Sequence, residues 1–154
     1  MKFRKKVDQI LGKTLALIMG IMVINVLWQV FTRFVLGNPS SFTDELARYL
    51  MIWVGVLGAA YISGRRMHVA IHLLPTKLNK EGQTKLKIII NCIIIAFCFF
   101  AFIFGGLRLV YITFILDQYS PALQIPLAFV YTIIPISGLL IIFYKLSDII
   151  NKQL

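Results

Sequence analysis

Few residues in this chain could do chemistry, and their spacing limits what each could do. His68 and His72 stand four apart, which on a helix puts two imidazoles on one face and would suit a shared metal ion. No acidic or cysteine third ligand is near them in sequence, so both read as interfacial histidines and no metal is assigned. The two cysteines, Cys92 and Cys98, lie in one apolar run. Six residues apart on a helix, they stand about 9 Å apart along its axis and point to different faces, so they cannot bridge and read as small apolar fillers. Asp44 and Glu45 precede Arg48 by four and three residues, so both carboxylates can reach its guanidinium from one helical face. Arg33 and Arg108 are two further cations set against or inside apolar runs. There is no HExxH, no thiol beside a base, no glycine-rich phosphate loop and no pair of acids deep in an apolar run. No catalytic constellation and no cofactor follow from these residues.

The elements that must position them are membrane spans. Of 154 residues, 59% are hydrophobic and 14% charged, with a mean hydropathy of +0.85, far outside the range of an ordinary soluble domain. The net charge of +10 does not point to nucleic acid, because the basic residues flank apolar runs and form no basic face with interleaved aromatics. The pattern predicts an all-α integral membrane protein with a single domain over 1–154 and four transmembrane helices at about 14–35, 42–64, 86–116 and 122–145. The run Thr14 to Thr32 follows a basic flank, yet it is too long for the core of a signal peptide and no small-residue cleavage site follows, so it is expected to remain as the first span.

The second helix is expected to open after the turn Gly37 to Ser40, with Ser41 as N-cap and Asp44 in capping-box position. The uncharged residues Tyr49 to Gly64 rise only about 24 Å against a hydrocarbon core of roughly 30 Å, so Arg48 must lie near the lipid boundary. A cation there is cheapest when it snorkels or pairs with an acid, and Asp44 and Glu45 can supply the partner. Arg108 needs a carboxylate or carbonyl partner too, and Glu45 or Asp44 is the expected one. Gly55, Ala59 and Ser63 recur every four residues, either as a small-residue ridge for close helix approach or as small residues common to any membrane helix. Asn25, Gln29 and Arg33 recur in the same way on the first span, and such a polar stripe is expected to face other helices.

Between the second and third spans, Met67 to Lys87 mixes six basic or histidine side chains with an apolar side, and is expected to lie in the membrane interface. Asp117 to Pro121 is expected to turn, Pro135 to kink the last helix, and Lys145, Asp148 and Lys152 to close the chain in water. Thirteen Lys and Arg fall on the side of both termini and three, Arg33, Arg48 and Arg108, on the other. The positive-inside rule therefore puts both termini in the cytoplasm and the Asp44–Glu45 turn outside. Trp28 and Trp53 each stand five residues inside an external arginine, which agrees.

Three stretches carry a resemblance. They are Arg33 to Leu50, with arginine, short turn, acidic pair and arginine; Trp53 to Ala60 leading to Arg65, Arg66 and His68; and Tyr119 to Pro135. In that order and spacing the chain resembles the small membrane subunit (Q-type, DctQ-like) of tripartite ATP-independent periplasmic, or TRAP, transporters. Met67 and His72 depart from the pattern, since members often carry an acid before His68 and an Asp four residues after it. The resemblance implies the bacterial inner membrane, a large membrane subunit that holds the sodium and substrate sites, a periplasmic solute-binding protein that delivers an organic acid such as a C4-dicarboxylate or sialic acid, and surrounding membrane lipids. The small subunit would brace the scaffold of the large one. On that reading Arg33, Asp44, Glu45, Arg48 and Arg108 form an outer charge cluster that docks a partner or orders the bundle. The competing reading is a self-contained small transporter, acting as a homo-oligomer, with a path lined by Asn25, Gln29, Arg33 and Arg108.

Overall fold

The computed structural model describes residues 2–38, 40–65 and 80–150. Helix α1 runs Lys2–Phe34, α2 Ser41–Gly64 and α3 Lys80–Phe97. A π-helical segment, Cys98–Gly105, continues α3 into α4, Gly106–Ile115, without a break in helical backbone. Helices α5, Leu127–Tyr131, and α6, Ile133–Ile150, complete the described chain. Four of these stretches are long and apolar enough to cross a membrane: Arg4–Phe34, Ser41–Gly64, Gly82–Ile115 and Leu127–Ile150. Among the described residues there is no strand, only an isolated bridge between Tyr119 and Pro126. Of the expected interfacial segment, residues 67–79, with His68 and His72, lie outside the described residues, and 80–87 form the first turns of α3.

Packing follows a seven-residue period. On α1 the residues turned inward are Leu11, Leu15, Ile18, Met22, Asn25, Gln29 and Thr32, alternating steps of four and three. Leu50, Trp53, Leu57, Ala60 and Gly64 do the same on α2. Such a line drifts by only about 20° per seven residues, so two helices stay in register along their length. Helix α6 is the most enclosed, meeting α2 on one side and α3 with the π-helical segment on the other. Two glycines let it approach closely: a Cβ on Gly138 would stand 2.6 Å from Phe102 Cβ, and one on Gly64 2.7 Å from the Tyr144 ring.

Three local expectations shift. Helix α2 begins at Ser41, so the N-cap is Ser40 (φ −80°, ψ 112°), and its side chain makes no cap bond. Thr43 Oγ1 instead donates to Ser40 O at 2.9 Å. The last span begins at Leu127, because 117–126 fold into a hairpin-like loop closed by Ser120 N to Ile125 O at 2.9 Å and Leu127 N to Gln118 O at 2.9 Å. Pro135 marks a break, but at Thr132 between α5 and α6, where the proline leaves Tyr131 O without its helical donor.

Candidate functional site

Two polar clusters hold the helices together, one at each end of the bundle. At the first, Asn25 Nδ2 donates to Thr43 O at 2.7 Å and Gln29 Nε2 to Asp44 Oδ1 at 2.9 Å. The polar stripe on α1 therefore faces α2 of the same chain. Arg33 does not join it: it is exposed and lies over the Phe34 ring at 6.0 Å. At about 100° per residue, Arg33 is turned some 80° from Asn25, whereas Thr32 is turned only some 20° and is buried.

The acidic pair divides its work. Asp44 Oδ2 accepts from Arg48 at 3.4 Å, with the two side chains 60% and 71% exposed, so this ion pair is weak. Glu45 does not pair with Arg48. Its Oε2 accepts from Ala122 N at 2.8 Å and Leu123 N at 3.1 Å, and its Oε1 from Tyr49 OH at 2.8 Å. One carboxylate thus satisfies two backbone donors of the 117–126 loop, which has two residues, Asp117 (φ 46°) and Gln124 (φ 55°), in the left-handed region. Trp53 Nε1 adds a bond to Val130 O at 3.1 Å. The first and third stretches that carry the family resemblance therefore meet at Glu45, and Trp53, which opens the second, meets the third at Val130.

Arg108 corrects an expectation as well. It is exposed on α4 and makes no hydrogen bond or ion pair among the described residues, since α4 turns its opposite side, at Gly106, against Ile134 and Pro135. Of the small-residue line on α2, Gly55 and Ala59 are exposed and only Ser63 is buried, so the ridge does not pack within this chain.

The second cluster joins the N-terminal turns of α1 to the end of α6. Arg4 Nη1 donates to Asp148 Oδ1 at 2.6 Å and Nη2 to Gly64 O at 2.6 Å, and the guanidinium lies over the Tyr144 ring at 5.4 Å. Tyr144 OH donates to Asp8 Oδ1 at 2.6 Å. Lys145 and Asp148, expected in water, are each only 4% exposed, because α6 continues to Ile150 packed on its neighbours. The tie has a signature in the sequence: Arg4 and Asp8, and again Tyr144 and Asp148, stand four apart, and an even number of spans brings both pairs to one side. Cys98 is buried and Cys92 exposed, both as free thiols. Among the described residues no three His, Cys, Asp or Glu side chains converge as a metal site.

Membrane-length helices tied together at both ends by polar side chains define a small polytopic membrane protein. The chain belongs to the family described as "Tripartite ATP-independent periplasmic transporters, DctQ component", whose model matches residues 22–153. It is 30% identical over 124 residues to a Haemophilus influenzae protein named as a TRAP transporter small permease, covering 80% of this chain and 75% of that one. It is 24% identical over 160 residues to the ectoine TRAP transporter small permease protein TeaB of Halomonas elongata, covering 96% and 80%. It is also 32% identical over 113 residues to the sialic acid TRAP transporter permease protein SiaT of Haemophilus influenzae, covering 70% of this chain but 17% of that much longer one. The chain is accordingly a TRAP transporter small permease subunit.

Proposed function

We propose that this subunit serves a sodium-driven, binding-protein-dependent secondary transporter for an organic acid, and that it braces the scaffold of a large transport subunit without carrying substrate or catalysing a reaction. The alignment with SiaT carries this reading: a segment like this chain is there covalently continuous with a permease several times its length. A domain that works fused to a long permease has its place beside one. The names of the relatives give sialic acid and ectoine, which supports an organic acid as the cargo, with sialic acid, a C4-dicarboxylate or a related carboxylate as the proposed class. The charges of the chain support a brace. Glu45 fastens a loop to α2, and Asp8 and Asp148 fasten α1 to α6.

In this arrangement 1–154 form one membrane domain in a bacterial inner membrane with both termini in the cytoplasm, and the Glu45 end faces the periplasmic solute-binding protein. Co-purification with the membrane and secreted proteins encoded beside this chain, followed by sodium-driven uptake in proteoliposomes, tests it. A 1:1 complex with a large membrane protein, and uptake that also requires the binding protein, is the expected result. Uptake by this chain alone would overturn it in favour of the homo-oligomeric transporter.

A further inference from the structure

Among the described residues, Arg108 is a cation without a partner inside a membrane span. It stands seven residues before the end of α4 at Ile115, about 10 Å inward along the axis, and Gly106 two residues earlier packs against Ile134 and Pro135 in the body of the bundle. A guanidinium at such a position is costly unless paired. This chain has no acid to offer. Asp8 and Asp148 are engaged at the opposite end, Glu45 holds the 117–126 loop, and Asp44 is shared between Gln29 and Arg48. Asp117 is nine residues on, about 13 Å along the axis, and Glu81 lies in the first turn of α3, at the far end of this continuous helix. A second copy would not help, because rotation about an axis normal to the membrane preserves depth and leaves its Asp44, Glu45 and Asp117 as far from the level of Arg108 as they are in the first.

The surface around Arg108 fits a helix. One turn and two turns inward lie Gly105 and Ala101, both exposed and four residues apart, a small pair that allows close backbone approach. Exposed Phe104 and Tyr111 flank them. This span is also the least covered of the four, with 11% of its most apolar stretch buried against 39% for the last span. A phospholipid phosphate reached by snorkelling is the competing occupant. The small pair lies on the inward side of Arg108, away from headgroups, and so favours a protein helix.

Resting on the functional reading above, we propose that the face of the third span around Arg108 seats a transmembrane helix of the large subunit, which presents a carboxylate to the Arg108 guanidinium. The test uses the whole complex, with this chain tagged and co-expressed with the large membrane protein encoded beside it. A photoactivatable benzophenone residue replaces Phe104 or Tyr111, and in a control replaces Leu27 on α1. Adducts with the large subunit from 104 and 111 are expected. Arg108→Leu should weaken the complex about thirty-fold, Arg108→Lys should retain part of the affinity, and Arg108→Glu should be rescued by placing lysine at the partner acid next to the adduct. If the complex forms but 104 and 111 give only lipid adducts, or adducts with a second copy of this chain, the inference is overturned while the brace reading stands. Wild-type affinity in Arg108→Leu would overturn it equally. If no large membrane protein co-purifies with the unaltered chain, both fall. Should the Arg108 variants not accumulate, the adducts decide, since they are read with Arg108 in place.

Discussion

Replacing Arg4 by methionine probes the tie between the first and last helices most directly. The substitution keeps much of the aliphatic stem and removes two bonds of 2.6 Å, one to Asp148 and one to Gly64 O. The two charged side chains are 16% and 6% exposed, so water screens the pair little. Breaking a buried pair from one side costs about 3–5 kcal/mol, and a hydrogen bond to a charged group contributes about 1.5–3 kcal/mol. Arg4 keeps one edge at the surface, which moves the expectation to the lower part of these ranges, about 2–3 kcal/mol. A double-mutant cycle with Asp148→Asn should return a coupling of about 2 kcal/mol, against roughly 0.2–1 kcal/mol for an exposed pair. Reversible unfolding in mixed detergent micelles can be followed by Trp53 fluorescence, because its indole is bonded to Val130 O and reports separation of α2 from α5. Lys5→Met, at an exposed neighbouring position, is the control. A coupling below about 0.5 kcal/mol, or an Arg4→Met effect no larger than the control, would show that the pair behaves as a surface pair and would refute the reasoning.

Other changes test the remaining contacts. Gly64→Ala should destabilise by about 1–3 kcal/mol in the same assay, since the new Cβ meets a Tyr144 ring whose hydroxyl is held by Asp8. Gly55→Ala, where nothing lies within 4 Å, should stay within about 0.5 kcal/mol of the parent. Asn25→Val should lose about 0.6–1.7 kcal/mol with its bond to Thr43 O, while Arg33→Ala changes stability little; equal losses would refute the assignment of the α1 face. Glu45→Ala should speed amide hydrogen exchange at Ala122 and Leu123 with no change at Thr113 on α4, and unchanged protection of the loop would count against Glu45 as its anchor.

The spans were legible because length and hydropathy alone decide whether a helix can cross a bilayer. The faces were harder, and for one reason. Asn25–Gln29–Arg33 and Gly55–Ala59–Ser63 are both runs of two four-residue steps. Each such step rotates a helix by about 40° off its starting face, so the third member ends about 80° away. The observed lines alternate four with three, which keeps Thr32 in line on α1 and Ala60 and Gly64 on α2 while Arg33 and Ala59 turn outward. The π-helical segment had no legible signal, since its eight apolar residues would serve a π turn or an α turn alike. Nor could spacing show that Glu45 would leave Arg48 for Ala122 and Leu123, because those donors lie 77 and 78 residues away.

In lipid, apolar side chains gain little by choosing one another over acyl chains, so close backbone approach and polar bonds must fix which helices meet. Here both lie at definite places. Gly64 and Gly138 admit Tyr144 and Phe102, and polar ties sit at both ends of α2 and at the C-terminal end of α6, with Trp53 Nε1 to Val130 O at 3.1 Å and Ser137 Oγ to Val56 O at 2.7 Å between them. Because the bundle is specified from its ends and its central helix, large apolar side chains of α1 and α3 remain outward along most of their length. That outer surface is available to lipid and to another subunit without disturbing any contact that holds the chain together. The proposed role as a brace requires that separation: internal bonds that stay fixed and an outside given over to the membrane and to a partner subunit.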